Sequence, residues 1–246
     1  MLAIRSISKT YDDSPVIRDC SFRVETGQSM SVLGRSGCGK TTLLKILAGL
    51  SSPDNGRVEI DGRDITDVPA HLRHVVYLAQ EALLFPHLYV CDNIAFGLRV
   101  RKVPRKVINE EVEKMLLQLG LSDKMHSRPY ELSGGERRRV SFGRSIIIKP
   151  AVLLLDEPFE NLDPETRTDM QKLYKKLASD YNITSVFVAH NLKEAIMMGD
   201  TLSTLRSGKL HTYANLQSFT NDPISGVSEE ITFWNQFNEI NSELMK

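Results

Sequence analysis

Residues 34–42, Gly34-Arg35-Ser36-Gly37-Cys38-Gly39-Lys40-Thr41-Thr42, have the residue types and spacing of a phosphate cradle. Glycines at 34, 37 and 39 let the backbone wrap closely enough for successive amide N–H groups to face one anion. Lys40 adds a full positive charge for terminal phosphates, and the Thr41 hydroxyl is an oxygen ligand suited to magnesium. Such a loop works between a strand and a helix, and the flanks predict both. Ser29–Leu33 is a short apolar-leaning run, and Leu43, Leu44, Ile46, Leu47 and Leu50 follow at helical spacing. The helix start near Lys40 offers free N–H groups and the positive end of its dipole. Cys38, inside the loop, reads as a small filler rather than a reactive thiol.

A second group lies at Val152-Leu153-Leu154-Leu155-Asp156-Glu157, an apolar strand ending in two acids. Adjacent carboxylates at the end of a buried strand need a positive partner, and beside a phosphate loop that partner is Mg2+. Asp156 would hold it directly or through water. Strand alternation would turn Glu157 the other way, toward an attacking water as general base. A third group is Leu132-Ser133-Gly134-Gly135-Glu136, opening a helix that runs through Arg144. Its first turn is expected to be a second bare set of N–H donors, so that two chains packed head to tail could share one triphosphate.

The elements that must position these groups are legible on either side. Residues 1–33 alternate as strands, with Leu2, Ile4, Cys20, Phe22 and Val24 on one face and Tyr11 in a turn-like segment. Val58–Ile60 followed by Asp61-Gly62 reads as strand and turn, and Val75–Ala79 as a strand delivering Gln80. From 81 to 145 the texture is helical. Ile108, Val112, Met115, Leu116 and Leu119 form a stripe, with Gly120 placed to stop it. The α/β pattern then returns: strand 152–155, a helix opened by Asp163-Pro164, strand Ser185–Ala189 and a hairpin over 201–213 turning at Ser207-Gly208. Ser228–Leu244 reads as a further helix. The expectation is one 246-residue domain, with a core of 1–80 and 146–220, a helical subdomain of 81–145 and a tail of 221–246.

Composition bounds the function. Lys plus Arg and Asp plus Glu both total 31, so there is no basic surplus of the kind a nucleic-acid-gripping chain needs. Cys20, Cys38 and Cys91 have no paired spacing, which suggests neither a disulfide framework nor a zinc site. No leader is visible, and the longest apolar runs fall far short of a bilayer span. A protein of a reducing compartment, with no nucleic-acid partner, is expected. The basic run Arg99, Arg101, Lys102, Arg105, Lys106 reads as a solvated helix face, with contact to anionic lipid head groups as the sharper alternative.

The order Gly34–Thr42, Gln80, Leu132–Glu136, Asp156-Glu157, Asn161-Leu162-Asp163, His190 resembles the ATP-binding-cassette (ABC) ATPases along nearly the whole chain. The resemblance implies an α/β P-loop NTPase (RecA-like) core with an N-terminal antiparallel β-subdomain and an inserted α-helical subdomain, binding ATP and Mg2+. It implies that Tyr11 stacks on adenine and that Gly34 to Thr42 bind the phosphates. Gln80 would contact metal and attacking water, with Thr41 and Asp156 as further metal ligands. Ser133, Gly134, Gly135 and Glu136 would bind the γ-phosphate of a partner subunit, and Asp163 would lie at the dimer seam. Glu157, His190, Lys40 and Gln80 would form the catalytic set.

Within that family the chain looks most like separate ATPase subunits of importers for sugars, polyamines, ferric iron or oxyanions. Leu83–His87 and Asp92–Leu98 resemble the segment that touches the membrane permease, so contact through 81–98 is implied. The expected assembly is a homodimer on the inner face of the cell membrane, cytoplasmic and peripheral, with an external substrate-binding protein as a further partner. Three departures stand out: Arg137 where glutamine is usual, Glu160 where serine is usual and Asn191 where aspartate is usual. A soluble ABC ATPase and a low-turnover regulatory protein are the alternatives.

Overall fold

The computed structural model describes residues 1–227, so the expected helix at 228–244 lies outside the described residues. In chain order the strands are β1 (Leu2–Tyr11), β2 (Ser14–Val24), β3 (Ser29–Leu33), β4 (Asn55–Ile60), β5 (Arg63–Asp64), β6 (Val75–Leu78), β7 (Val152–Asp156), β8 (Ser185–Ala189), β9 (Thr201–Arg206) and β10 (Lys209–Tyr213). The helices are α1 (Lys40–Ala48), α2 (Val90–Val100), α3 (Arg105–Leu119), α4 (Gly134–Ile146), α5 (Pro164–Asp180), α6 (Leu192–Met198) and α7 (Leu216–Asn221). One sheet is antiparallel, in the order β2-β1-β4-β5. The other runs β10-β9-β3-β8-β7-β6, parallel except for β10 at its edge.

Period-two alternation along the central strands builds two cores, because successive side chains leave opposite faces. Leu153, Leu155 and Phe187 join Phe142 of α4, Tyr174 of α5 and the apolar side of α3. Val152, Leu154, Val186 and Val188 join Leu43, Leu44 and Leu47 of α1, together with Ile4, Ile7 and Val58 of the antiparallel sheet. Helix α1 is therefore packed between the two sheets. Leu154 is fully buried, and truncating such a residue to alanine costs about 2–5 kcal/mol.

Local chemistry sets the element ends. The α3 stripe is buried as its spacing predicts, and Gly120 closes the helix in the left-handed region. Ser207 and Gly208 form a two-residue turn between paired Arg206 and Lys209, both with positive φ, as a tight hairpin requires. Leu50 departs from the expected apolar face. Gly49 ends α1 at φ 74°, so Leu50 falls beyond the helix and is 58% exposed.

At that same end the buried Arg73 donates to Ile46 O, Leu47 O, Thr66 O and Val68 O, tying the last turn of α1 to the segment after β5. The basic run does not form one helix face: Arg99 lies in the last turn of α2, Arg101 and Lys102 lie between the helices, and Arg105 and Lys106 open α3. It is also partly committed, since Arg99 pairs with Asp92 and Arg101 donates to Ile148 O.

Candidate functional site

The phosphate loop joins β3 to α1. Gly39, the residue before the helix, has φ 106° and supplies no side-chain cap, which leaves the first-turn N–H groups of α1 free of one. A Cβ there would lie 2.9 Å from Val16 Cγ1, so hairpin β1–β2 also demands glycine. At Gly34 a Cβ would come within 2.7 Å of Leu205 O. The side chain of Lys40 is buried inside the loop, where Nζ donates to Gly34 O at 2.7 Å and Arg35 O at 3.1 Å and lies 3.8 Å from Glu157 Oε1. Burial pushes the Cys38 thiol up, more than Lys40 lowers it, consistent with a filler.

The end of β7 meets this loop. Thr41 Oγ1 lies 3.3 Å from Asp156 Oδ1, and Tyr77 of neighbouring β6 donates its hydroxyl to Asp156 Oδ2 at 2.7 Å. Burial, reinforced by the Asp156 bond, pushes the Tyr77 phenol up and keeps it a donor. Glu157 does not follow strand alternation. β7 ends at Asp156, and Glu157 takes φ 48°, a left-handed turn that sends its carboxylate to Lys40 and His190. His190 Nε2, just past β8, meets Glu157 Oε2 and lies 3.4 Å from Glu160 Oε1, while Gln80 Nε2 donates to Glu160 Oε2.

Lys40, Thr41, Thr42, Ser36, Gly37, Gly39, Gln80, Glu157 and His190 thus line one cavity of about 520 Å³, with Val16 and Glu160. Gly34, Arg35 and Cys38 line an adjoining cavity of about 500 Å³ behind the loop, which His190 also reaches.

Other expected site residues stand apart within the single chain. Tyr11 is at the end of β1, 44% exposed, with its hydroxyl 3.0 Å from Ser51 Oγ. Ser133, Gly134, Gly135 and Glu136 open α4 outside the loop's cavity. That opening is not bare. Ser133 Oγ accepts from Glu136 N at 3.2 Å, and Glu136 Oε2 accepts from Ser133 N at 2.7 Å, a reciprocal capping box that satisfies two donors. The Ser133 N–H bond holds the Glu136 carboxyl below its usual range.

Asp163 caps α5 through Thr166 N, at 2.9 Å, which lowers its carboxyl likewise. Asn191 caps α6 through Glu194 N, at 2.8 Å, a task asparagine and aspartate perform equally well.

Sequence reasoning missed three contributors. Tyr77 could have been found as the residue two strand positions from Asp156 only once β6 was known to adjoin β7. Glu160 was legible as a departure but not as a contact. Val16 carries no signal beyond its place in a strand.

A phosphate loop feeding a helix N-terminus, a buried lysine and strand-end acids facing a hydroxyl define a P-loop nucleoside triphosphatase on a parallel sheet. Residues 17–160 match the family described as ABC transporter, and the chain belongs to it, as an ATP hydrolase. It is 40% identical over 240 residues to the molybdate/tungstate import ATP-binding protein WtpC of Pyrococcus horikoshii, covering 98% of this chain and 68% of that one. It is also 40% identical over 223 residues to the spermidine/putrescine import ATP-binding protein PotA of Haemophilus influenzae, covering 91% of this chain and 60% of the other. The PotA protein of Vibrio cholerae is 39% identical over 223 residues, with 91% and 59% covered. The chain thus spans about three-fifths to two-thirds of the length of these relatives.

Proposed function

We propose that this chain is the ATPase subunit of an importer, working as a homodimer that closes around two Mg-ATP and drives a separate membrane permease. The observation that carries the reading is the split of its phosphate-facing groups. Lys40, Thr41, Gln80, Glu157 and His190 share one cavity, while the Ser133–Glu136 helix start lies outside it in the same chain. A second copy is needed to bring the two together. The division into core 1–80 and 146–220, helical subdomain 81–145 and tail 221–246 belongs to the same proposal.

The residues present fit the nucleotide and its ion. The hydroxyl of Thr41 and the carboxylate of Asp156 face one another as hard oxygen donors, the set Mg2+ prefers, and Gln80 would complete it. The ion would offset phosphate charge. Lys40 would hold the terminal phosphates, Gly34 to Thr42 would wrap them, and Tyr11 would stack on the base. Glu157, poised between Lys40 and His190, would orient or deprotonate the attacking water, with His190 on the γ-phosphate. Closure would set the partner's Ser133, Gly134, Gly135 and Glu136 on that phosphate, with Asp163 at the seam.

Two relatives of similar likeness are named for an oxyanion and a polycation respectively, which supports placing cargo choice in the permease and an external binding protein. The 81–98 region would contact the permease. Asn93 is buried and pins the loop before α2 through bonds to Phe85, Leu88 and Tyr89, while Leu83 and Phe96 remain 63% and 40% exposed. No described helix is long and apolar enough to cross a membrane, which fits a peripheral place on the cytoplasmic face.

The test is Mg-ATP turnover and sizing of wild type and Glu157→Gln. Turnover should fall by ~10²–10⁴, with the variant trapped as an ATP-dependent dimer. Near-normal turnover would remove Glu157 from the water-activating role, and a monomer under all conditions would count against the shared site.

A further inference from the structure

Glu160 belongs neither to the phosphate loop nor to the strand-end pair, yet it touches the two groups that face the cavity from opposite sides. Its Oε2 accepts from Gln80, just past β6, and its Oε1 lies 3.4 Å from His190 Nε2, just past β8. β7 lies between those strands, so one carboxylate bridges over the strand end that carries Asp156 and Glu157. The backbone aims it there: Glu160 N donates to Glu157 O at 3.2 Å, and Asn161 turns back at φ 59°. A serine at this position, two carbons shorter, could not span both partners.

The bridge uses the donors a terminal phosphate would need. The Gln80 amide and the His190 imidazole are hydrogen-bond donors, and both a carboxylate and a phosphate oxygen are anionic acceptors for them. An N–H shared between acceptors bonds each more weakly, so a phosphate oxygen would have to compete with Glu160 for Gln80 and with both Glu157 and Glu160 for His190. Glu160 also adds a second negative charge beside Glu157, within a cluster whose ligand atoms all lie within 4.8 Å of one another, and that charge repels an incoming triphosphate.

We infer that Glu160 is a positioning residue that latches Gln80 to His190 and competes with the γ-phosphate of ATP for both. The latch rests on the reading that this cavity takes ATP. Binding must then exchange the carboxylate for phosphate, which lowers apparent affinity by the fraction of molecules still latched. It makes engagement of Gln80 and His190 a consequence of a complete triphosphate rather than of ADP, which has no γ-phosphate to compete.

Equilibrium binding of Mg-ATP and Mg-ADP to the full chain, together with KM and kcat for ATP, tests this in wild type, Glu160→Ser and Glu160→Gln. Glu160→Ser should bind ATP about five- to tenfold more tightly, the size of a partly exposed hydrogen bond to a charged group. KM should fall in step, and ADP affinity should change less than twofold. Glu160→Gln keeps an acceptor oxygen but loses the charge, and should fall between. Equal or weaker ATP binding in both variants overturns the latch, as does an equal gain for ADP. A Lys40→Ala control separates the two levels. If wild-type ATP binding does not depend on Lys40, the cavity assignment itself fails and the latch with it.

Discussion

Two helix starts in this chain are built in opposite ways. α1 begins at a left-handed glycine with no side-chain cap, its lysine folded back onto the loop carbonyls. α4 begins at Ser133 with a complete capping box. Both carry the same partial positive charge from aligned peptide dipoles. The first leaves its donors to a ligand. The second spends two of them within the chain, keeping only the glycine N–H groups of its opening turn uncommitted.

Breaking the first start should have the larger effect. Gly39→Ala forces a Cβ against Val16 at a φ that L-residues rarely adopt, strain of about 1–3 kcal/mol. We predict a roughly ten- to hundredfold loss of ATP affinity, read by titration with a fluorescent nucleotide. Unchanged affinity would mean the loop does not need its left-handed glycine.

Breaking the second start should spare binding and weaken closure. Ser133→Ala removes a cap worth about 1 kcal/mol, which for a chain of this size is about 2–4 °C in Tm. ATP binding to the single chain should change little, while turnover at saturating ATP falls. A loss of binding as large as that of Gly39→Ala would erase the distinction between the two helix starts.

A third start sharpens the contrast with the smallest effect. α6 is capped by Asn191, and Glu194 in its first turn is buried, with burial pushing its carboxyl up despite Arg167 and Gln171 nearby. Here the folded pKa exceeds the unfolded one, so the folded state holds its proton more tightly. Stability from this group is greatest below the unfolded pKa and falls as pH rises through the folded one. Glu194→Gln should therefore raise Tm at pH 8 by more than at pH 4, in differential scanning calorimetry. An equal shift at both pH values would show that Glu194 does not titrate on unfolding.

How much of this was legible follows the same division between pattern and geometry. Periodicity disclosed the stripe from Ile108 to Leu119, and turn chemistry disclosed Gly120 and Ser207-Gly208, because each signal is carried by residues adjacent in the chain. The Gly34–Thr42 loop was equally plain. What escaped depends on distant neighbours or on dihedral angles. Tyr77 reaches Asp156 because β6 happens to flank β7. Glu157 turns through a positive φ that no side-chain pattern announces. The capping box hid behind two glycines that read as an open donor set, although Ser133 and Glu136 stand at the spacing that defines it. Leu50 was misjudged because Gly49 ends the helix one residue earlier than the apolar pattern does.

Arg73 gives the α1 helix a fixed far end. The guanidinium grips the carbonyls of Ile46 and Leu47 together with those of Thr66 and Val68. Nine residues, about 14 Å at helical rise, thus separate the loop end of α1 from the end held to the segment after β5. A close-packed helix does not shorten under a push. Displacement at Lys40 would be passed along this strut as tilt or translation to the segment after β5, which is hydrogen-bonded to Val58 of the antiparallel sheet through Ile65 N and Thr66 Oγ1, so a push at the loop would reach the second layer.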